Sequence, residues 1–334
     1  MQSRKITLQY LADQLGVSKV TVFKALNNQP GVSRELHKRI HDLAASTGYL
    51  QTYQQNGTQA ANFAFITPKR FFAEQEMFYT NIYFLINNRC IADAKKLSLF
   101  VVERADEDAG LLPRTLDKGG FDGIFVGGEM NEDFLRNLEK LGIPIVVIDS
   151  FTNRIHCDMI LTDNYISSYL LTQYLIAKGH RKIGFVGRTT DTHNIADRYF
   201  GYRKALLFAG LEYKDEWNIV TNDPVNFLYS LDFAVPKDLP TAFVCHCDNA
   251  AHFMIQKLNL MGLSVPDDVS LVAFDNTDLA KIIRPSLTTI ENNREAFANR
   301  AYETMLKRQV RKEAHPYRVL LTTTIVERES VKSI

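Results

Sequence analysis

A chain of 334 residues is longer than one ordinary hydrophobic core and calls for two or three domains; its 46% hydrophobic and 23% charged residues are those of a soluble globular protein. No apolar run of about 18 residues is present, so a membrane-spanning helix is excluded, and the opening "MQSRKITLQY" lacks the apolar stretch of a secretory signal. Four cysteines are too few for a disulfide scaffold at this length, and the expectation is reduced thiols in a cytoplasmic protein.

The net charge of +1 hides an asymmetry. Residues 1–50 hold seven Lys/Arg against three acids, a surplus of four, so the remainder carries a net charge of −3. A basic head on a faintly acidic body suits contact with a polyanion, although solvated helices carry such a surplus too. Leu8, Leu11, Ala12 and Leu15 fall on one face of a first helix, with Thr7 placed to cap its start and Gly16 suited to the left-handed residue past its end. Ser18 is placed to cap a second helix. Val22, Ala25 and Leu26 form its inner face, and Lys19, Val20, Phe23, Lys24 and Asn27 lie mostly on the other side. "NNQPG" breaks the chain. A third helix is expected from Ser33 to Gly48, with Leu36, Ile40, Leu43 and Ala44 inward. Helix, tight turn, short helix and supporting helix form the helix-turn-helix pattern, whose second helix enters a major groove. A plain three-helix bundle with solvated lysines fits the same pattern.

Residues 51–62, "QTYQQNGTQAAN", contain no Lys, Arg, Asp or Glu and read as a linker. From residue 63 short apolar runs alternate with amphipathic stretches. "FAFITP", "SLFVVE", "FDGIFVGG" and "IPIVVIDS" read as strands, with "FLINNRCIADAKKL" and "EDFLRNLEKLG" as helices; "HRKIGFVG", "TAFVCHC" and "DVSLVAFD" form a second strand series. Unbroken β-branched runs alternating with helices imply buried parallel sheets, here two doubly wound α/β subdomains facing a cleft. Ligands of open α/β sheets bind just past the strand ends, where Asp149, Asp248 and Asp275 stand, and Arg198 opens a helix after a loop. Each Asp also fits a helix N-cap at a strand-to-helix turn, and for Asp248 that is the favoured reading.

Other chemistry finds less support. "CHCD" (245–248) puts two cysteines on one face of a buried strand, but no second pair stands at a usable spacing, so core thiols are expected and no metal. "GGFDGIFVGG" lacks phosphate-loop spacing, and no Ser/His/Asp grouping stands out. Paired acids in a cleft fit glycoside hydrolysis, but nothing marks one of them as a raised-pKa acid.

"ITLQYLADQLGVSKVTVFKALNNQPGVS" resembles the DNA-binding head of the LacI/GalR family of bacterial regulators. "LTDNYISSYLLTQYLIAKGHRKIGFVG" (161–187), "RYFGYRKAL" (198–206), "PTAFVCHCDNAA", "VPDDVSLVAFDN" and "RPSLTTI" resemble later blocks of that family in the same order, so the likeness covers nearly the whole chain. The resemblance implies a helix-turn-helix head at 1–50, a linker or hinge at 51–62 and a periplasmic-binding-protein-like core at 63–334. The N-subdomain of that core is placed at 63–158 and 288–317 and the C-subdomain at 159–287 and 318–334. It implies that Lys19, Val20 and, further along, Lys24 read base edges, and that Thr7, Ser18, Asn27 and Ser33 hold phosphates. The family usually has Ser-Arg where this chain has Phe23-Lys24. Arg forks onto a guanine whereas Lys is a point donor, so a different operator preference is expected. The linker is short for a hinge helix, and Gly57 would interrupt one.

For the core, the resemblance assigns Asp149, Arg198 and Asp275 to sugar hydroxyls and places Phe78 and Tyr79 near an aromatic wall. Carboxylates accept from hydroxyls and an Arg fork donates to two oxygens. Cys247 replaces the usual Asn, and Arg294 stands where a neutral side chain is more usual. Two arginines near the pocket suit an acidic ligand such as a uronate or phosphosugar, or pair with Asp149 and Asp275, which is the favoured reading. The segment before "PTA" is short, with Phe227 or Tyr229 available as an aromatic contact. The expectation is a repressor, not an enzyme, without cofactor, acting as a homodimer on palindromic operator DNA and modulated by a sugar or sugar derivative. Alternatives are a corepressor-type regulator binding a nucleobase and, further off, a carbohydrate-binding protein or carbohydrate-active enzyme.

Overall fold

The computed structural model describes residues 7–26, 31–47, 61–72, 77–223, 228–311 and 315–334. The hinge expected at 51–62 and Asn27 lie outside them save for residues 61 and 62, as do Phe227 and the side chain of Phe23. The chain forms two compact units, residues 1–61 and 62–334.

The first unit contains α1 (Leu8–Leu15), α2 (Lys19–Leu26) and α3 (Arg34–Ser46). Leu11, Ala12, Val22, Ala25, Leu26, Ile40 and Ala44 bury together in its centre. The small residues Ala12 and Ala25 at this centre let short helices cross closely. Gly16 sits at φ 65°, the left-handed C-cap expected of it. The third helix is shorter than expected. Ser33 is its cap, its hydroxyl accepting from Leu36 N at 3.3 Å, and it ends at Ser46.

The core begins with β1 (Asn62–Pro68), α4 (Met77–Ala92), β2 (Lys96–Val102), α5 (Arg104–Asp108), α6 (Arg114–Asp117), β3 (Gly123–Gly127), α7 (Glu132–Glu139), β4 (Ile145–Ile148) and β5 (Asp158–Thr162). It continues with α8 (Asn164–Ala177), β6 (Ile183–Val186), α9 (His193–Phe208), β7 (Asn218–Ile219), β8 (Ala242–Cys245), α10 (Asp248–Leu260), β9 (Ser270–Phe274) and α11 (Asp278–Ile282). It closes with β10 (Thr288–Glu291), α12 (Arg294–Val310), β11 (Arg318–Leu321) and β12 (Thr324–Val326). The helix expected at "FLINNRCIADAKKL" starts earlier and ends at Ala92, because Ala94 turns the chain at φ 53° and the lysines after it open β2.

One sheet has the order β11-β5-β4-β3-β1-β2 and the other β12-β10-β9-β8-β6-β7. Every pairing is parallel except β10 with β12. Alternate residues supply two packed faces, as a period of two requires. In the first sheet Ala64, Ile66, Ile124 and Val126 join one cluster, while Phe63 meets Phe125 edge-on at 5.7 Å in the other layer. In the second, Phe243, Cys245, Leu271 and Ala273 face α10, and Ala242, Val244, Val272 and Phe274 pack with residues of α8 and α9.

The chain passes between the sheets three times, and each passage falls a few residues after the expected positions of 158, 287 and 318. Strands β5, β10 and β11 begin at about those points, and each completes its ladder with the preceding sheet neighbour before the chain leaves, since buried backbone groups need partners. The passages therefore follow Thr162, Glu291 and Leu321.

Gly201 of the "RYFGY" block has a specific cause. A Cβ there would lie 2.1 Å from Tyr165 O on α8, so only glycine allows the two helices their separation. Gly201→Ala is expected to destabilise the core by about 1–3 kcal/mol in urea unfolding. An unchanged midpoint would mean that α8 and α9 have room to spare.

Candidate functional site

At the head, Lys19 and Val20 open α2 and are exposed, Val20 at 61%. Lys24, one turn further on, is half-buried. Burial of Val22 and Ala25 against α1 and α3 fixes which side of α2 faces outward. The hydroxyls assigned to phosphates sit at helix starts. Thr7 accepts from Tyr10 N at 3.3 Å, Ser18 from Thr21 N at 3.1 Å and Ser33 from Leu36 N at 3.3 Å. A capping hydroxyl accepts through a lone pair, so the Thr7 and Ser33 protons are left to donate. Ser18 shares a further hydroxyl contact with Thr21 at 2.9 Å. Helix N-termini and hydroxyl donors together form a surface suited to phosphate oxygens.

In the core, the strand-end carboxylates converge. Asp149 follows β4 with φ 54° and Asp275 follows β9 with φ 101°, next to Asn276 at φ 45°. Three of the four described non-glycine residues at positive φ thus lie at the cleft, where backbone strain is commonly held by function. Arg198 is 5% exposed and tied on every side. Its Nε donates to Asn164 Oδ1 at 2.7 Å, Nη1 to His246 O and Nη2 to Asp275 Oδ1 at 3.5 Å, and the guanidinium lies 4.4 Å from the Phe274 ring centre. Asn292 Nδ2 also donates to Asp275 Oδ1, at 2.8 Å. Asp149 accepts from Tyr79 Oη at 3.2 Å and Thr162 Oγ1 at 3.3 Å. Across the cleft Asn194 Nδ2 donates to Asp149 O at 2.7 Å, and His193 N donates to Glu129 Oε2 at 2.8 Å.

Asp149 and Asp275 share the charge of Arg198, and Arg294 acts on Asp275 as well. Burial raises the Asp149 carboxyl to about 6, opposed chiefly by Arg198, and burial raises Asp275 as well. Tyr79 is held well above the usual phenol range by burial and by Asp149. His246 is lowered to about 4 by burial, so its ring is neutral. Among the described residues Asp275 Oδ2 has no protein donor, and Asn292 Oδ1, buried, has no hydrogen bond. Both are acceptors waiting for a donor, which a hydroxyl-bearing ligand supplies.

Beside this cluster lies a cavity of about 140 Å³ lined by residues that include Phe78, Asn81, Asp248, Asp275, Thr277 and Arg294. Phe78 is almost buried and meets Tyr79 and Phe297 edge-on. Of the five core residues singled out from sequence, Phe78, Asp275 and Arg294 line this cavity, and Arg198 joins it through Asp275. Asp149 stands behind Tyr79.

Asp248 is not the N-cap of α10. Cys247 is, its Sγ accepting from Ala250 N at 3.4 Å. Asp248 instead accepts from Thr277 N at 2.7 Å, Thr277 Oγ1 at 2.9 Å and Thr289 Oγ1 at 2.7 Å, tying the loop after β9 to β10. Cys247, a weak partner in general, is well used here, with Tyr229 Oη 3.0 Å away. Tyr229 stacks on His246 and Phe253. Asn164, Asn194, His246 and Asn292 were not singled out from sequence. Their side chains are polar residues among many, and only the fold brings them to Arg198, Asp149 and Asp275.

A family model described as a periplasmic binding protein-like domain matches residues 172–331. The HTH-type transcriptional repressor PurR of Glaesserella parasuis serovar 5 (strain SH0165) is 29% identical over 314 residues, covering 90% of this chain and 89% of that protein. Among solved structures, the complex of the transcriptional regulator CelR with cellobiose has a TM-score of 0.69 at 23% identity, covering 98% of this chain and 100% of the other. The lac repressor dimer bound to operator and the anti-inducer ONPF has a TM-score of 0.67 at 18% identity with the same coverage. No helix of the described residues is long and apolar enough to cross a membrane.

The cluster makes a pH prediction. Burial raises Asp248 to about 7, so between about pH 4 and 7 the folded protein holds a proton that the unfolded chain has released. That contribution falls as pH rises through this window. Asp248→Asn removes it, so the stability of the variant relative to the parent is expected to improve between pH 5 and 8, measured by urea unfolding. A difference independent of pH would show that Asp248 is ionised throughout.

Proposed function

We propose that this chain, which belongs to the LacI/GalR family of bacterial transcriptional regulators, represses transcription by binding operator DNA with a strength set by a sugar or sugar derivative in the cleft of its core. The observation that carries the ligand half is the Arg198–Asp275 pair, with Asp275 in the cavity wall and its hydrogen-bond partner Asn292 leaving a buried Oδ1 without a partner among the described residues. Acceptors in surplus at the wall suit a ring rich in hydroxyl donors. A planar nucleobase is the second reading. Phe78 in the cavity wall and the carboxamide of Asn81 suit its face and edges.

The DNA half rests on the exposed start of α2. In this motif the N-terminal residues of the second helix meet base edges in the major groove, which supports base contacts by Lys19 and Val20, with Lys24 one turn on. Two heads on a homodimer match the two halves of a palindrome. Ligand acts through the angle between the subdomains. Asn194 with Asp149 and His193 with Glu129 bridge the cleft, so a ligand that favours these contacts favours one angle. It shifts DNA affinity only insofar as it binds the two angles differently, typically by about 1–3 kcal/mol.

Selection from random duplex DNA at fixed salt is expected to return a palindrome. Lys24→Ala is expected to relax preference at one base pair per half-site, whereas a uniform loss across sequences would make Lys24 a phosphate contact. Asp275→Asn is expected to weaken the sugar response at least tenfold while operator binding without ligand persists. If that binding fell in step with the response, Asp275 would be structural and the pocket misplaced.

A further inference from the structure

Of the two arginines near the cleft, only Arg198 is tied by close hydrogen bonds, whereas Arg294 acts on Asp275 and Asp278 through its charge alone. Arg198 spends all three nitrogens on Asn164, His246 O and Asp275. Arg294 makes one marginal hydrogen bond, from Nη2 to Asn276 O at 3.5 Å, and among the described residues no carboxylate lies within ion-pair distance of it. The acids around it are engaged elsewhere. Asp275 is held by Arg198 and Asn292, Asp278 by Lys281 at 2.9 Å, and Glu291 by Asn276; Glu295, next in the chain, is exposed. Arg294 is only partly exposed, and it lines the same cavity as Asp275.

Two helix N-termini meet this cavity. Cys247 and Asp248 open α10, and Arg294 opens α12. Their amide ends add positive potential near the spare guanidinium. Asp275 lines the same cavity, together with Asp248 and Asp278, and supplies carboxylate acceptors. A fitting ligand therefore donates from one part and carries negative charge on another. At about 140 Å³ the cavity is smaller than the roughly 300–1,000 Å³ of drug-sized pockets, which suits a single small ring.

We propose that the effector is an acidic monosaccharide derivative whose carboxylate or phosphate is bound by Arg294 while its hydroxyls meet Asp275. This rests on the reading that a sugar occupies the cleft. An Arg fork on an oxyanion is a charge-assisted pair that a neutral sugar does not form. The class follows from the unpaired charge, whereas the head group is open to two chemistries, and both enter the test.

Titration calorimetry on the full-length protein would compare neutral hexoses and pentoses with their uronates and with their terminal phosphates. One acid is expected to bind at least about tenfold tighter than its neutral parent, and Arg294→Gln to bring the two near parity. Uronates and phosphates then report which oxyanion is read. A panel in which no acid outbinds its parent overturns the role of Arg294. Binding of neutral sugars in that case keeps the sugar reading, whereas binding of purine bases with no sugar of either kind overturns both.

Discussion

One buried guanidinium holds the ligand end of the second sheet together. Arg198 on α9 reaches the start of α8, the carbonyl after β8 and the carboxylate after β9, and it lies over the ring of Phe274. These segments come from four places in the chain, and only β8 and β9 share a backbone ladder. Burying a charge is favourable only when each of its donors is met, and here each nitrogen has a partner. Removing one side of such a buried pair typically costs about 3–5 kcal/mol, since the other charge is left in the dark. Arg198 therefore shapes the cleft before any ligand arrives, and a ligand contact at Asp275 acts on a group that already ties strand ends together.

That arrangement gives a route from ligand to subdomain angle. Asp149 belongs to the first sheet, yet its carboxyl feels the Arg198 charge and its carbonyl accepts from Asn194 on α9. Its raised pKa reflects burial, which the Arg198 charge and the hydroxyls of Tyr79 and Thr162 only partly offset. Hydroxyl donors or a cation brought near it would favour the ionised form and, with it, closer attraction to Arg198. Coupling of this kind depends on electrostatics across a cleft, and water screens it more as the cleft opens.

Much of the fold was legible because it rests on local signals. Alternating apolar runs marked the parallel strands, and Thr7 and Gly16 capped α1 as their side chains dictate. Passage points between the sheets were displaced by a few residues, because strand length is set by pairing with neighbours distant in sequence. The site was legible only in part. Asp275 stood at a strand end where ligands bind, whereas Arg198, expected to open a helix, lies a turn and a half inside α9, and Asn164, Asn194, His246 and Asn292 are polar residues whose role comes from where the chain returns. Asp248 showed the limit of local reasoning, since it ties β10 to the loop after β9 and caps no helix.

The central claim is that cleft and head exchange free energy, and linkage makes that claim reciprocal. The most direct measurement is effector affinity by calorimetry with and without saturating operator duplex, at one salt concentration. The account predicts that operator changes the effector dissociation constant by about 5–150-fold, and that effector changes the operator constant by the same factor. Equal effector affinity in the two conditions would contradict it, leaving a ligand-binding core and a DNA-binding head that share a chain without communicating.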